Sequence, residues 1–146
     1  MHIPRKLLYS LIILALMSVA LPACSSQAKG MDLNMTSMEA MPDEVRSAPA
    51  TVQQAYQFAS ANPDLMKNIP CYCGCGNMGH TSNYSCYVSE ADGQGNFTFD
   101  NHALGCSICV DITQDVMRLQ RGGKTPADIR AYVDEKYSQY GPSNIK

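Results

Sequence analysis

Three cysteines alternate within five residues, Cys71-Tyr72-Cys73-Gly74-Cys75, and no other stretch constrains the fold of this chain so tightly. Three more follow at Cys86, Cys106 and Cys109, with His80 and His102 between them. Packing alone gives no reason to gather so many thiols. Such a density of soft sulfur points to metal capture, thiol–disulfide exchange or disulfide stapling. In an extended strand, Cys71, Cys73 and Cys75 would share one face but lie too far apart for a single metal ion. Gly74 and Gly76 let the chain curl, because glycine reaches backbone angles that other residues avoid. The loop is therefore expected to converge its thiols.

The amino terminus says where this chemistry takes place. Arg5 and Lys6 precede an apolar run from Leu7 to Leu21, too short to span a membrane comfortably and ending in small residues. This is the layout of a secretory signal peptide over residues 1–23. The ending Leu21-Pro22-Ala23-Cys24 resembles a bacterial lipobox, in which the chain is cut before a cysteine that then carries lipid. On that reading Cys24 is the lipidation site, and the chain is anchored to the outer face of the cell membrane without crossing it. With the lipidated Cys24 set aside, six of the seven cysteines remain free to pair, an even number in a compartment that permits disulfides.

Removing Arg5 and Lys6 leaves nine basic against thirteen acidic residues, a net charge of −4. No basic patch is present, which argues against a nucleic-acid partner. Residues 24–49 are polar, poor in aliphatics and interrupted by Pro42 and Pro49, as in a flexible tether. Met31, Met35, Met38 and Met41 would fall on one face if this segment were helical, and thioethers suit Cu(I).

Residues 50–146 form one small domain, expected to be mainly α. Val52, Ala55, Tyr56 and Ala59 recur at helical spacing, predicting a helix to about Ala61. Asn62-Pro63 opens a further short turn. An irregular Cys-rich loop follows, then a short β-hairpin, with strands Ser85–Val88 and Asn96–Phe99 turning at Asp92-Gly93. Ile108, Ile112, Val116 and Leu119 mark an amphipathic helix from Cys106 to Gln120, stopped by Gly122-Gly123. Thr125 caps the next helix, with Pro126 in its first position and Asp128 in its third. Ile129, Tyr132, Val133, Tyr137 and Tyr140 are its expected buried stripe, and the two helices pair antiparallel.

Cys106 and Cys109 fall at the start of their helix, where the positive end of the dipole should favour thiolate. The candidate metal ligands are Cys71, Cys73, Cys75, His80, Cys86, His102, Cys106 and Cys109. They could fill two tetrahedral sites or one multinuclear site. Thiols at alternate positions suit Cu(I), which takes two or three sulfurs and tolerates bridging thiolate, whereas zinc motifs space their ligands more widely. Asp100 is expected to orient His102. Tyr72, Tyr84 and Tyr87 are expected to shield the site, and Asp111 and Asp115 to lie on the helix surface.

The run PCYCGC, Pro70 to Cys75, followed by Gly79-His80, Cys86, His102 and Gly105-Cys106-Ser107-Ile108-Cys109, is similar to the bacterial PCYCGC-motif lipoproteins. That resemblance implies an exported, anchored, thiol-rich protein and supplies no activity. Cys106 to Gly141, with its GGKTPADIR segment, also resembles the small helical domain of the cytochrome c maturation thiol reductase. Four further cysteines ahead of Cys106 depart from that pattern. The resulting reading is a membrane-anchored protein that binds, buffers or delivers a soft metal, Cu(I) ahead of zinc, and is not an enzyme; its metal ion and an extracytoplasmic protein are its expected partners. The alternatives are a thiol–disulfide redox protein using Cys106 and Cys109, and a disulfide-stapled interaction domain.

Overall fold

The computed structural model describes residues 30–146; the expected signal peptide and the expected lipidation site, Cys24, lie outside them. Six α-helices occur among these residues: α1 (Asp43–Arg46), α2 (Ala50–Ala61), α3 (Pro63–Met66), α4 (His102–Gly105), α5 (Ser107–Arg121) and α6 (Pro126–Tyr137). One antiparallel hairpin joins β1 (Val88–Ala91) to β2 (Phe97–Phe99). The domain is mainly α, as its periodicities predict. No helix among the described residues is long and apolar enough to cross a membrane.

Helix α5 is the axis of the core. Cys109, Val110, Ile112, Thr113, Val116 and Met117 are buried, repeating every three to four residues so that one face meets α2 and another meets α6. Fully burying each such Val or Ile contributes roughly 1.5–3 kcal/mol. Helix α6 starts on a complete capping box. The Thr125 hydroxyl accepts from the Asp128 amide at 3.2 Å, and Asp128 accepts in turn from the Thr125 amide at 3.4 Å. Ile129, Val133 and Tyr137 form its buried face, whereas Tyr132 is half-buried and Tyr140 is exposed. The stripe ends at Tyr137 because a tighter turn, Ser138–Tyr140, rotates the following residues away.

Two expectations are corrected. The residues read as a tether lie against the domain from Gly30 onward. Met31 donates to the Arg121 carbonyl (3.1 Å), and Thr36 to that of Gln57 (3.0 Å). The Gln57 side chain answers to the Thr36 carbonyl (2.8 Å). Met41 and Val45 enter the core. The four methionines share no helical face: only Met38 begins a single turn, Met41 is buried, and Met31 and Met35 are exposed. Second, the hairpin's first strand begins at Val88. Ser85 and Cys86 lie in a tight turn, Tyr84–Cys86, which Asn83 anchors by donating its amide to the Ile69 carbonyl (2.8 Å). The hairpin pairs Val88 with Phe99 and Ala91 with Phe97, and so sets down Asp100 and His102 beside the cysteine loop.

Candidate metal centre

The curl at the cysteine turn comes from Gly74 at φ 85° and Gly79 at φ 93°, left-handed positions at the two ends of the turn Cys75–Met78. Gly76 has no such backbone; its role is closeness, since a Cβ there would sit 3.3 Å from the Cβ of Asn144. The turn points Cys71, Cys73 and Cys75 inward. Cys86 arrives from the turn after Asn83, His102 opens α4, Cys106 precedes α5 and Cys109 sits in its first turn.

All eight expected side chains meet in one cluster. Ligand atoms of Cys73, His102, Cys106 and Cys109 lie within 4.8 Å of one another, as do those of Cys75, His80, Cys86 and His102. Cys71 connects the two sets, grouping with Cys73 and Cys75 and again with Cys109 and Cys86, one member of each set in both cases. The shortest sulfur separations are 3.2 Å (Cys106–Cys109), 3.4 Å (Cys71–Cys73 and Cys71–Cys109) and 3.6 Å (Cys75–Cys86 and Cys73–Cys109). All six are free thiols, well beyond the ~2.05 Å of a disulfide bond. Carbon pairs pack best at roughly 3.5–4.0 Å, and sulfur is larger, so these thiols are held closer than neutral packing favours. All five separations fall inside the ~3.8 Å edge of a tetrahedral zinc–thiolate site with ~2.3 Å bonds.

The electrostatics depart from the helix-dipole expectation. The low thiols are Cys73, pulled down to about 4, and Cys75, also lowered. Hydrogen bonding with Cys86 is the chief cause at Cys73, helped by His102 and Cys71; at Cys75 it is hydrogen bonding with Cys109, then Cys71 and Cys86. Cys106 and Cys109 are raised instead. Burial dominates at Cys106, and at Cys109 its bonds to Cys71 and Cys75 retain the proton. Burial at Cys106 and sulfur contacts at Cys109 outweigh the helix end.

Asp100 faces a different histidine from the one expected. Its Oδ1 accepts from the backbone amide of His102 (2.7 Å), while its Oδ2 lies 3.5 Å from Nε2 of His80. A carboxylate there favours the proton on Nε2, leaving a lone pair on Nδ1. Nδ1 of His80 is buried and has no hydrogen-bond partner. The His102 Nε2 lies 3.4 Å from the Cys73 sulfur, and the two imidazoles meet edge to face at 5.1 Å.

Tyr72, Tyr84 and Tyr87 are buried, as expected of shielding residues. Two supports have no counterpart in the sequence patterns. Tyr87 donates to the Cys109 carbonyl (2.8 Å) and shares a buried network with Thr113 and Asn83, which fixes the start of α5 against the Cys86 turn. Asn144, in the C-terminal tail, accepts from the Cys71 amide (2.7 Å), donates its own amide to the Cys71 carbonyl (3.2 Å) and directs Nδ2 at the Cys75 sulfur (3.4 Å). The tail can come this close because Gly141 has no Cβ; one there would stand 2.9 Å from the Tyr72 carbonyl oxygen. Between tail and turn runs a groove of about 560 Å³ lined by Gly74, Gly76, His80 and Asn144, among others.

A small, mainly helical domain whose buried Cys/His cluster can hold a metal ion is thus what fold and site define together. The chain belongs to the family described as protein of unknown function with PCYCGC motif, whose model matches residues 13–144. No curated protein and no solved structure matches the chain.

Proposed function

We propose that this protein binds a soft metal ion outside the cytoplasm, Cu(I) ahead of zinc, and buffers or delivers it while held to the membrane by lipid on Cys24. One observation carries the reading: six free thiols and two imidazoles from four separate segments converge within ligand distance. Thiolate is the form that binds metal, and Cys73 and Cys75 are already biased toward it. The unpartnered Nδ1 of His80, backed by Asp100, supplies the carboxylate–histidine arrangement common behind metal ligands. Softness and bridging capacity favour Cu(I). Metal analysis of protein purified without oxygen tests this; copper or zinc retained at a fixed ratio supports it. Failure of the reduced protein to take up either ion overturns it. The anchor is tested separately, by the mass of the mature chain and incorporation of labelled palmitate.

A second reading rests on Cys106 and Cys109, whose sulfurs are the closest pair at 3.2 Å, with Cys106 half-exposed. These two could cycle between dithiol and disulfide with an extracytoplasmic partner. Their raised thiols disfavour attack by either at neutral pH. A redox exchange that persists with metal bound would favour it.

A further inference from the structure

We infer that the cluster is two metal sites of unequal access joined through Cys71: an inner site that retains its ion and an outer site that exchanges it. This rests on the metal-binding reading and deepens it. Eight donors exceed what one tetrahedral ion uses. An ion held by Cys73, His102, Cys106 and Cys109 would leave the buried Nδ1 of His80 without a partner, at the usual cost of an orphaned polar group.

The donors divide by exposure as well as by position. Cys73, His102 and Cys106 are half-exposed, and with Cys109 they form one four-donor set. His102 belongs to this set because its Nε2 is already 3.4 Å from the Cys73 sulfur. Cys75, Cys86 and His80 form the other; His102 lies within 4.8 Å of these three as well and is shared between the two sets. Cys71 completes it, its sulfur lying within 4.8 Å of those of both Cys75 and Cys86. Cys71, Cys75 and Cys86 are 0–1% exposed, and Asn144 closes over Cys75. The groove beside the tail reaches His80 but leaves these sulfurs covered. Cys71 also touches Cys109, at 3.4 Å, and a thiolate in that position can bridge both ions.

Consequently an acceptor bearing thiolate or imidazole can approach the outer ion and replace Cys106 or His102 one bond at a time. The inner ion can be approached only from the His80 side, its three sulfurs staying covered. Its role is to hold the PCYCGC turn in place.

Zn2+ is the probe of choice, because it carries no redox chemistry and leaves the thiols reduced. The full mature chain, reduced and loaded, is examined by native mass spectrometry and then challenged with a chromophoric chelator. The expected result is two zinc ions per chain, released in a fast and a slow phase of equal size. Cys106→Ala should lose one ion and the fast phase while keeping the slow one. Alkylation of the wild-type chain after the fast phase should label Cys73 and Cys106 and spare Cys75 and Cys86; this readout needs no variant to fold. A single zinc per chain, two ions leaving at one rate, or labelling of Cys75 and Cys86 together with Cys106 would overturn the two-site inference while leaving metal binding intact. No zinc uptake at all, with six thiols reacting freely, would overturn the metal-binding reading itself.

Discussion

Asn144 shows how a residue outside the Cys/His cluster, its Oδ1 taken by the Cys71 amide, can set the properties of the centre. An amide N–H directed at a sulfur stabilises thiolate, and the two backbone-facing bonds to Cys71 hold the turn in register. Partners of this kind typically contribute tenfold to a hundredfold in metal affinity. Asn144→Ala should therefore weaken zinc retention by about tenfold in chelator competition. Far-UV circular dichroism should not change, because the tail carries little of the core. Thiol reactivity gives a second prediction. In metal-free protein, Cys73 should alkylate with an apparent pKa of about 4, whereas Cys106 should respond only above the ordinary cysteine value. Quantifying each modified peptide from pH 4 to 10 checks this, and the reverse order would restore the helix-dipole argument. The convergence of the six cysteines and two histidines was legible in the sequence, because alternating cysteines with nearby histidines are rarely scattered by a fold. Asn144 was not. It meets Cys71 across 73 positions, and nothing local distinguishes it from any asparagine after a Gly-Pro turn. The same holds for Asn83 and Thr113, whose polarity suggests surface while their hydrogen bonds bury them behind Cys109.

Among the elements, the pairing of α5 with α6 depends on Asp115, which the helical pattern placed on the surface. Its Oδ2 accepts from Lys136 (2.6 Å) and from the hydroxyl of Tyr137 (2.8 Å), and its Oδ1 accepts from Arg118 (2.8 Å). Burial opposes ionisation, yet these three donors outweigh it and hold the carboxyl below its ordinary value. The stabilisation is therefore complete above the unfolded carboxylate pKa and disappears as pH falls through the lower folded one. Lys136 and Arg118 are about half-exposed, so their part is screened and small. Asp115→Asn should cost about 1–2 kcal/mol at pH 7, mostly through the Tyr137 bond. Urea unfolding should show that difference closing as pH falls below the ordinary carboxylate range. Helices α2, α5 and α6 were readable because apolar spacing, Pro126 and the Thr125 cap are local signals. The start of β1 was not, because Asn83 and Ile69 hold Ser85 and Cys86 in a turn that their strand-like composition does not announce.

At the scale of the molecule, the cluster is where otherwise separate segments are tied together. The PCYCGC turn, the Cys86 turn, α4 and the start of α5 each contribute donors, and the tail is bonded back to Cys71. Residues 30–49 add their layer through main-chain bonds to α2 and α5, which is why a polar, Pro-interrupted composition suggested a tether instead. A domain this small gains a large share of its margin from whatever cross-links it. An ion that binds only the folded chain stabilises it by about 2.7 kcal/mol at a hundredfold excess over Kd. For a chain of this length that corresponds to a rise of about 10 °C in Tm. Calorimetry of reduced protein with and without Zn2+ should show that rise, reversed by chelator. Cys86→Ser should abolish most of the increment by removing a donor with no exposed substitute, whereas Cys106→Ser should keep the larger part, since the remaining inner donors still join the PCYCGC turn to the Cys86 turn. Equal losses in both variants would mean that the cluster stabilises as one undivided centre, and an unchanged Tm on loading would mean that metal does not hold these segments together.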